Sequence, residues 1–362
     1  MVVYLLILIF IIVRSASVAE GGQFNKNYLS KDNCNNIKGI FVILIVFSHY
    51  VQYVKLGGIY DEPYLKLRGH LDQMVVAMFL FYSGYGMMKS IQKKGKTYIN
   101  TIMSRRFPMV WGSFFCAVTI FLIVDILTGR WYPVSRILMA YTGWTSIGNS
   151  NWYIFATLIL YILMFVSFKI CSFITKQEHA NFLGCFLFTL LAIGFVYVQM
   201  KLGRDNYCYN TIVLFPLGCW YGLFQDKIES FLMKNDFFYT GCALALIIVY
   251  CISYINRWEY GIEGYTVWAV AFTFVVLLIT MKIKISSNIL SWFGNHVFSI
   301  YVLQRIPMML LSDLGFAEHK YIFLSIAFVG TVFIAMVFDH VITQRIQSLF
   351  YRNEKWKEKQ GR

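Results

Sequence analysis

Apolar runs recur along the whole chain, with only short polar stretches between them. About 20 predominantly apolar residues make a helix long enough to cross a bilayer core. Cut on that basis, the chain predicts spans at about 38–54, 70–91, 108–127, 150–172, 180–199, 209–225, 237–255, 265–281, 288–311 and 321–343. The expectation is an all-α polytopic membrane protein with a core of about ten helices. One membrane domain would cover residues 33–343, between an apolar segment and basic linker (1–32) and a basic tail (344–362). The first run, residues 2–13 (VVYLLILIFIIV), is short for a span and falls within the length of a signal-sequence core. No basic stretch precedes it, and cleavage after Ser17-Val18-Ala19 would leave Lys26, Lys31 and Lys38 outside. It is expected to be a shallow interfacial extra segment or an over-long start.

Composition agrees: 58% of residues are hydrophobic and 14% charged, with mean hydropathy +0.59. A soluble domain carries about 25% charged residues. The net charge of +14 could suggest nucleic acid. A membrane protein also becomes basic by keeping Lys and Arg on its cytoplasmic side, and no nucleic-acid partner is expected. The stretch 92–107 and its edge hold Lys89, Lys93, Lys94, Lys96, Arg105 and Arg106, so it is taken as cytoplasmic. Alternating from there, the inner segments hold more than twice as many of the 32 Lys and Arg as the outer ones. Both ends of the core are then cytoplasmic, in a multi-pass protein of the cell membrane. The stretch Arg352–Lys359 reads as a solvated or lipid-surface tail. The eight Cys are scattered without a C-x-x-C, so neither a metal site nor a disulfide framework is indicated.

Candidate chemistry begins in the first core span. Lys38 opens the apolar run, and His49 follows with ten residues between them. Along a helix they stand roughly 16 Å apart. A titratable ring at that depth is costly, so it is either a functional group or a ring turned inward onto a neighbouring helix. On this topology Lys38 lies at the cytoplasmic edge and His49 toward the outer side. Asp72 falls near the outer end of the next helix, which also carries Phe81-Tyr82-Ser83-Gly84-Tyr85-Gly86. Its two glycines permit close approach of a helix or of a ligand, the first being the commoner use. The outer stretch 128–149 and its sequel hold Trp131, Tyr132, Tyr141, Trp144, Asn149, Asn151, Trp152 and Tyr153. These read either as an interfacial belt or as a platform for sugar rings with asparagine hydrogen bonds. Residues 256–260 offer the same mixture. The inner half of 288–311 is unusually polar, and Arg305 near its outer end either snorkels or faces a cavity. His70, His179 and His319 fall in or beside loops, His340 reads as structural, and His296 is a second candidate. No phosphate loop, dinucleotide glycine pattern, H-E-x-x-H or G-x-S-x-G is present.

Several pieces together resemble the integral-membrane acyltransferase 3 family, which O-acylates bacterial cell-surface glycans and other hydroxylated acceptors. Lys38 and His49 match its basic residue and histidine on the first of ten core helices, with Lys in place of the commoner Arg. Phe81-Tyr82-Ser83-Gly84-Tyr85 resembles its aromatic S-G segment. Ser104-Arg105-Arg106-Phe107-Pro108 resembles the end of its R-x-x-R…P stretch. Trp152-Tyr153-Ile154 and Phe298-Ser299-Ile300-Tyr301-Val302-Leu303 resemble its W-Y and F-S-x-Y-L-L motifs. The likeness runs over about residues 33 to 343. Two departures stand out: Ile102 falls where the first Arg of R-x-x-R is expected, and Gln304 where a His often follows Y-L-L.

The resemblance implies transfer of an acetyl group from acetyl-CoA, as substrate rather than resident cofactor, to a glycan or polyprenyl-linked sugar in the bilayer. Such a transfer needs a base, an oxyanion stabiliser and a donor site. His49 is the expected base, with Lys38 as the matching basic residue and Asp72 as an orienting acid. Arg105 and Arg106 are the expected donor-binding residues, since Arg pairs with phosphate through two parallel hydrogen bonds. Trp152, Asn151 and Tyr301 are the expected acceptor-binding residues. Homo-oligomerisation is left open. A transporter or flippase of a lipid-linked glycan is the competing function, and a polytopic scaffold a third.

Overall fold

The computed structural model describes residues 1–350, so the tail expected at Arg352–Lys359 lies outside the described residues. The elements in order are α1 (Val2–Ser15), β1 (Ala16–Val18), α2 (Lys31–Tyr50), α3 (Glu62–Leu71), α4 (Met74–Lys94) and α5 (Lys96–Thr101). Then come α6 (Phe107–Leu127), α7 (Val134–Ala140), α8 (Trp152–Ile174), α9 (Gln177–Lys201), α10 (Leu214–Leu232), α11 (Asp236–Asn256) and α12 (Gly261–Lys282). The last are β2 (Ile283–Ile285), α13 (Asn288–Asn295), α14 (Val297–Leu303), α15 (Arg305–Asp313) and α16 (Lys320–Phe338). The protein is all-α apart from the two short strands.

Seven helical stretches among the described residues are long and apolar enough to cross a membrane. They are Glu62–Lys94, Lys96–Leu127, Trp152–Ile174, His179–Lys201, Asp236–Asn256, Gly261–Lys282 and Lys320–Phe350. Each overlaps one of the ten expected spans. The other three expected spans fall outside this set for visible reasons. α2 starts seven residues before the apolar run and includes Lys31, Asp32, Asn33, Asn35 and Asn36. α10 leaves helical geometry at Phe224 and ends in Gln225, Asp226, Lys227 and Glu229. The 288–311 span is broken into α13, α14 and α15. Pro307 lacks the N–H that would bond the Leu303 carbonyl one turn back, which accounts for the interruption at Gln304. The expected loop 92–107 is also helical. Gly95, with φ +54°, turns the chain between α4 and α5, and a π-helical turn (Ile102–Arg106) then leads straight into α6.

The chain divides into two compact units. The first comprises Met1–Ile43, Gly57–Lys96 and Val166–Asn295. Backbone contact dominates its packing. A Cβ on Gly84 of α4 would stand 2.0 Å from the Phe215 carbonyl oxygen of α10, and one on Gly218 of α10 would stand 2.1 Å from that of Phe81. The two helices therefore cross at a spacing that only glycine permits. A Cβ on Gly86 meets nothing within 4 Å, so of the two glycines in that motif only Gly84 serves the crossing. α2 and α13 meet the same way: Gly39 lies against the Leu290 carbonyl and Gly294 against that of Asn35. β1 and β2 form an antiparallel pair with Ala16 opposite Ile285. Leu244, Ile248, Ile252 and Ile255 lie exposed along one stripe of α11, a face suited to lipid.

Among the described residues, the second unit comprises Leu44–Leu56, Thr97–Phe165 and residues 296–350. α6 packs against α14 and against a second π-helical turn (Asp339–Thr343) that extends α16. α15 and α16 pair through Gly330, where a Cβ would stand 3.1 Å from Pro307 Cβ.

Candidate functional site

His49 is the penultimate residue of α2, nearer its C-terminal end than an apolar run continuing to about residue 54 suggested. The end of the helix is anchored by its neighbour. Tyr50 Oη donates to the Lys320 carbonyl at 2.5 Å, and its ring lies 5.8 Å from that of Phe323. The half-buried His49 ring is 6.2 Å from the ring of Tyr301 on α14. Tyr301 is buried and meets Tyr153 edge-on at 5.5 Å, and Tyr153 in turn meets Trp152 at 6.0 Å. The second unit thus gathers His49, Tyr301, Tyr153 and Trp152, which the sequence had assigned to a base and an acceptor surface. Arg305 stands one turn beyond Tyr301, and its guanidinium donates to Gln52. Gln52 itself follows His49 in a turn, its N–H donating to the His49 carbonyl at 3.0 Å. Arg305 also bonds Tyr53, so its head group is engaged by the turn that follows α2. Its buried Nε has no hydrogen-bond partner among the described residues.

The asparagines of the outer stretch hold that stretch together. Asn151 Nδ2 donates to the Gly143 carbonyl at 2.8 Å, and Asn149 Oδ1 accepts from the Ile147 N–H at 3.1 Å. Tyr141 stacks on Phe115 at 4.4 Å and Trp144 packs edge-on against Phe155 at 5.3 Å. Trp131 stays 77% exposed, which leaves it as the free aromatic surface of this stretch.

Arg105 and Arg106 close the π-helical turn ahead of α6. Such a turn widens the helix and re-aims its side chains, and it recurs at functional sites. The Arg106 guanidinium donates to the Tyr161 phenol and lies 5.5 Å from the Tyr98 ring centre. Its planar fork is therefore held in place by neighbours.

Lys38 and Asp72 belong to the first unit. Lys38 is half-buried one turn beyond Cys34. Asp72 is exposed, has a φ of +36°, and accepts from Tyr265 Oη at 2.9 Å. That unit also holds a polar chain that sequence reading missed. Tyr28 Oη shares a 2.5 Å hydrogen bond with Tyr221 and donates to Glu229 at 3.0 Å. Gln225 donates to Glu229 at 2.6 Å and accepts from Tyr85 at 2.9 Å. Burial, with Tyr221 and Glu229 alongside, pushes the Tyr28 phenol far above its ordinary value, so it acts as a donor.

The second unit holds one more arrangement that the sequence only hinted at. His296 Nδ1 is 2.6 Å from Asp339 Oδ2, so the second-candidate histidine has a carboxylate partner 43 residues away in the chain. Their separation in sequence hid the pair. The one available signal, an acid beside His340, pointed to the wrong histidine, since His340 is exposed. His70, His179 and His319 are exposed as expected. No group of three metal-ligating side chains occurs among the described residues.

Apolar helices, a histidine flanked by tyrosines and a tethered arginine describe a membrane-embedded protein with the parts for proton and group transfer. Comparison with known families names the class: the model of an acyltransferase domain matches residues 32–340. The chain belongs to the acyltransferase 3 family and is a membrane acyltransferase. No curated protein and no solved structure matches it.

Proposed function

We propose that this acyltransferase moves an acetyl group from cytoplasmic acetyl-CoA to a hydroxyl of a cell-surface or lipid-linked glycan in the cell membrane. The observation that supports this most is His49, whose ring faces that of Tyr301, itself packed on Tyr153, within one turn of the Arg305–Gln52 pair. His49 takes the acceptor's proton as its oxygen attacks the thioester carbonyl. The charge that develops on the carbonyl oxygen needs a fixed donor, and Arg305 Nε is a candidate for it. The C–S bond then breaks, its electron pair stays on sulfur, and CoA leaves. Trp152 and Tyr153 offer ring faces to a sugar. Arg105 and Arg106 supply planar cations for the phosphates of the donor.

The test is acetyl incorporation into membrane glycan, read by mass spectrometry, with the full chain in membrane vesicles supplied with acetyl-CoA. His49→Ala should lower incorporation about 10²–10⁴-fold at unchanged protein level. Acetylation that survives this change while a lipid-linked glycan no longer crosses the membrane would establish a transporter instead. Arg105→Ala should raise the KM for acetyl-CoA more than that for the acceptor. Equal effects on both would assign Arg105 to folding.

A further inference from the structure

Apart from the His49 cluster, the second unit builds a second histidine into a hydrogen-bonded carboxylate. Three donors converge on Asp339: His296 Nδ1 at 2.6 Å and Ser299 Oγ at 2.7 Å on Oδ2, and Thr343 Oγ1 at 2.8 Å on Oδ1. They come from α14, the residue before it and the π-helical turn that carries Asp339 itself. A carboxylate held from both oxygens fixes the ring orientation and assigns Nδ1–H to the carboxylate, so the ring meets a ligand through Nε2.

The place of this pair matters as much as its geometry. α6, which begins directly after Arg105 and Arg106, packs against both α14 and the Asp339–Thr343 turn. α14 itself has His296 just before its start and Tyr301, the residue against His49, near its end. Five residues of helix separate the levels of His296 and Tyr301 by roughly 7.5 Å. The pair therefore connects to the expected donor-binding residues through α6 and to the expected base through α14.

We infer that His296 is a second catalytic residue, the acid that protonates the departing sulfur of an acyl-thioester donor, with Asp339 as its positioning residue. This rests on the acyl-transfer reading above. As the new C–O bond forms, His49 holds the proton of the acceptor hydroxyl. The C–S bond breaks with its pair on sulfur, and His296 Nε2–H gives that sulfur its proton, so CoA leaves as a thiol. His296 then regains a proton from water and His49 releases one.

The test is the pH profile of acetyl transfer from acetyl-CoA to membrane glycan, with the full chain in vesicles. The other titratable or charged groups on the elements packed around the pair are His340, Cys116, Asp125, Tyr301, Lys320, Tyr321, Arg105 and Arg106. An acid must be protonated to act, so wild-type activity should fall on the alkaline side. His296→Gln, which can still donate to Asp339, should lower transfer about 10²–10³-fold and abolish the alkaline fall. Transfer within about threefold of wild type, with the alkaline fall intact, overturns the proposal. Should the variant not accumulate, the wild-type profile decides, because a rate that keeps rising with pH overturns the proposal as well. A wild-type protein that acetylates no glycan at all sinks the acyl-transfer reading itself, an outcome distinct from a failure of His296 alone.

Discussion

The two units are held together differently. In the first, helix pairs approach until backbone meets backbone, at Gly84 and Gly218 and again at Gly39 and Gly294. In the second, the helices are interrupted, and the polar groups sit at the interruptions. Arg105 and Arg106 lie in one π-helical turn, Asp339 in another, and Arg305 opens the helix that follows the break at Gln304. A close backbone crossing is rigid because neither partner can shift without losing van der Waals contact over the whole crossing. A broken helix frees carbonyls and re-aims side chains, which suits chemistry better than scaffolding. The contrast sets glycine-knit helix crossings in one unit against cationic and acidic side chains carried at helix interruptions in the other.

The sharpest way to break that comparison is to add a methyl group at the crossing. Gly84→Ala would place Cβ 2.0 Å from a carbonyl oxygen that belongs to backbone and cannot rotate away. Overpacking costs about 1–3 kcal/mol even where side chains can adjust, so roughly 3 kcal/mol or more is expected here. Gly86→Ala, in open space two residues on, should be neutral or stabilising by about 0.5–1 kcal/mol. Thermal stability of the two variants in detergent reads the difference. Equal stabilities would mean that the crossing is not the frame of the first unit.

In the second unit the largest effect should fall on rate and not on stability. Arg305→Gln removes the guanidinium that bonds Gln52 and Tyr53. If Arg305 steadies the developing oxyanion, kcat should fall about 10²-fold with little change in the KM for acetyl-CoA. A rise in KM alone would move Arg305 from the reaction to substrate binding.

An ion pair in the same unit should give the next largest effect. Asp125 is fully buried on α6, and the Arg130 guanidinium lies 3.6 Å away while also pairing with Asp313 at 2.5 Å. Arg130→Gln strands the Asp125 carboxylate and should cost roughly 2 kcal/mol, given that Arg130 is itself partly exposed. Asp125→Asn in the same chain should recover most of that loss in thermal stability. No recovery would mean that Arg130 acts through Asp313 alone.

What the sequence made legible follows from what is local. Apolar run length located seven of the membrane helices, because crossing a bilayer is set by composition over about 20 adjacent residues. His49, Tyr301, Tyr153 and Trp152 came forward as separate motifs, and the structure gathers them in one unit. The spans that went wrong are those where a local rule met a competing one. Pro307 divides an apolar stretch that hydropathy alone reads as continuous, and α2 stops at Tyr50 and not at about residue 54, which puts His49 in its last turn. The His296–Asp339 pair was out of reach because its partners lie 43 residues apart and meet only through tertiary packing. Gly84 and Gly86 looked equivalent in sequence, and only the position of α10 tells them apart.

Asp72 gives the smallest expected effect, and it bears on which unit holds the chemistry. As an acid beside a candidate base it was expected to orient His49. It lies exposed in the first unit, where Tyr265 donates to it. Asp72→Asn keeps an acceptor for that phenol and changes neither the size nor the branching of the side chain at this positive φ of +36°. Acetyl transfer should change by less than about twofold and stability by less than about 0.5 kcal/mol. A rate loss approaching that of His49→Ala, at unchanged stability, would make Asp72 part of the reaction. Catalysis could then no longer be assigned to the second unit alone, and the first unit could not be treated as frame.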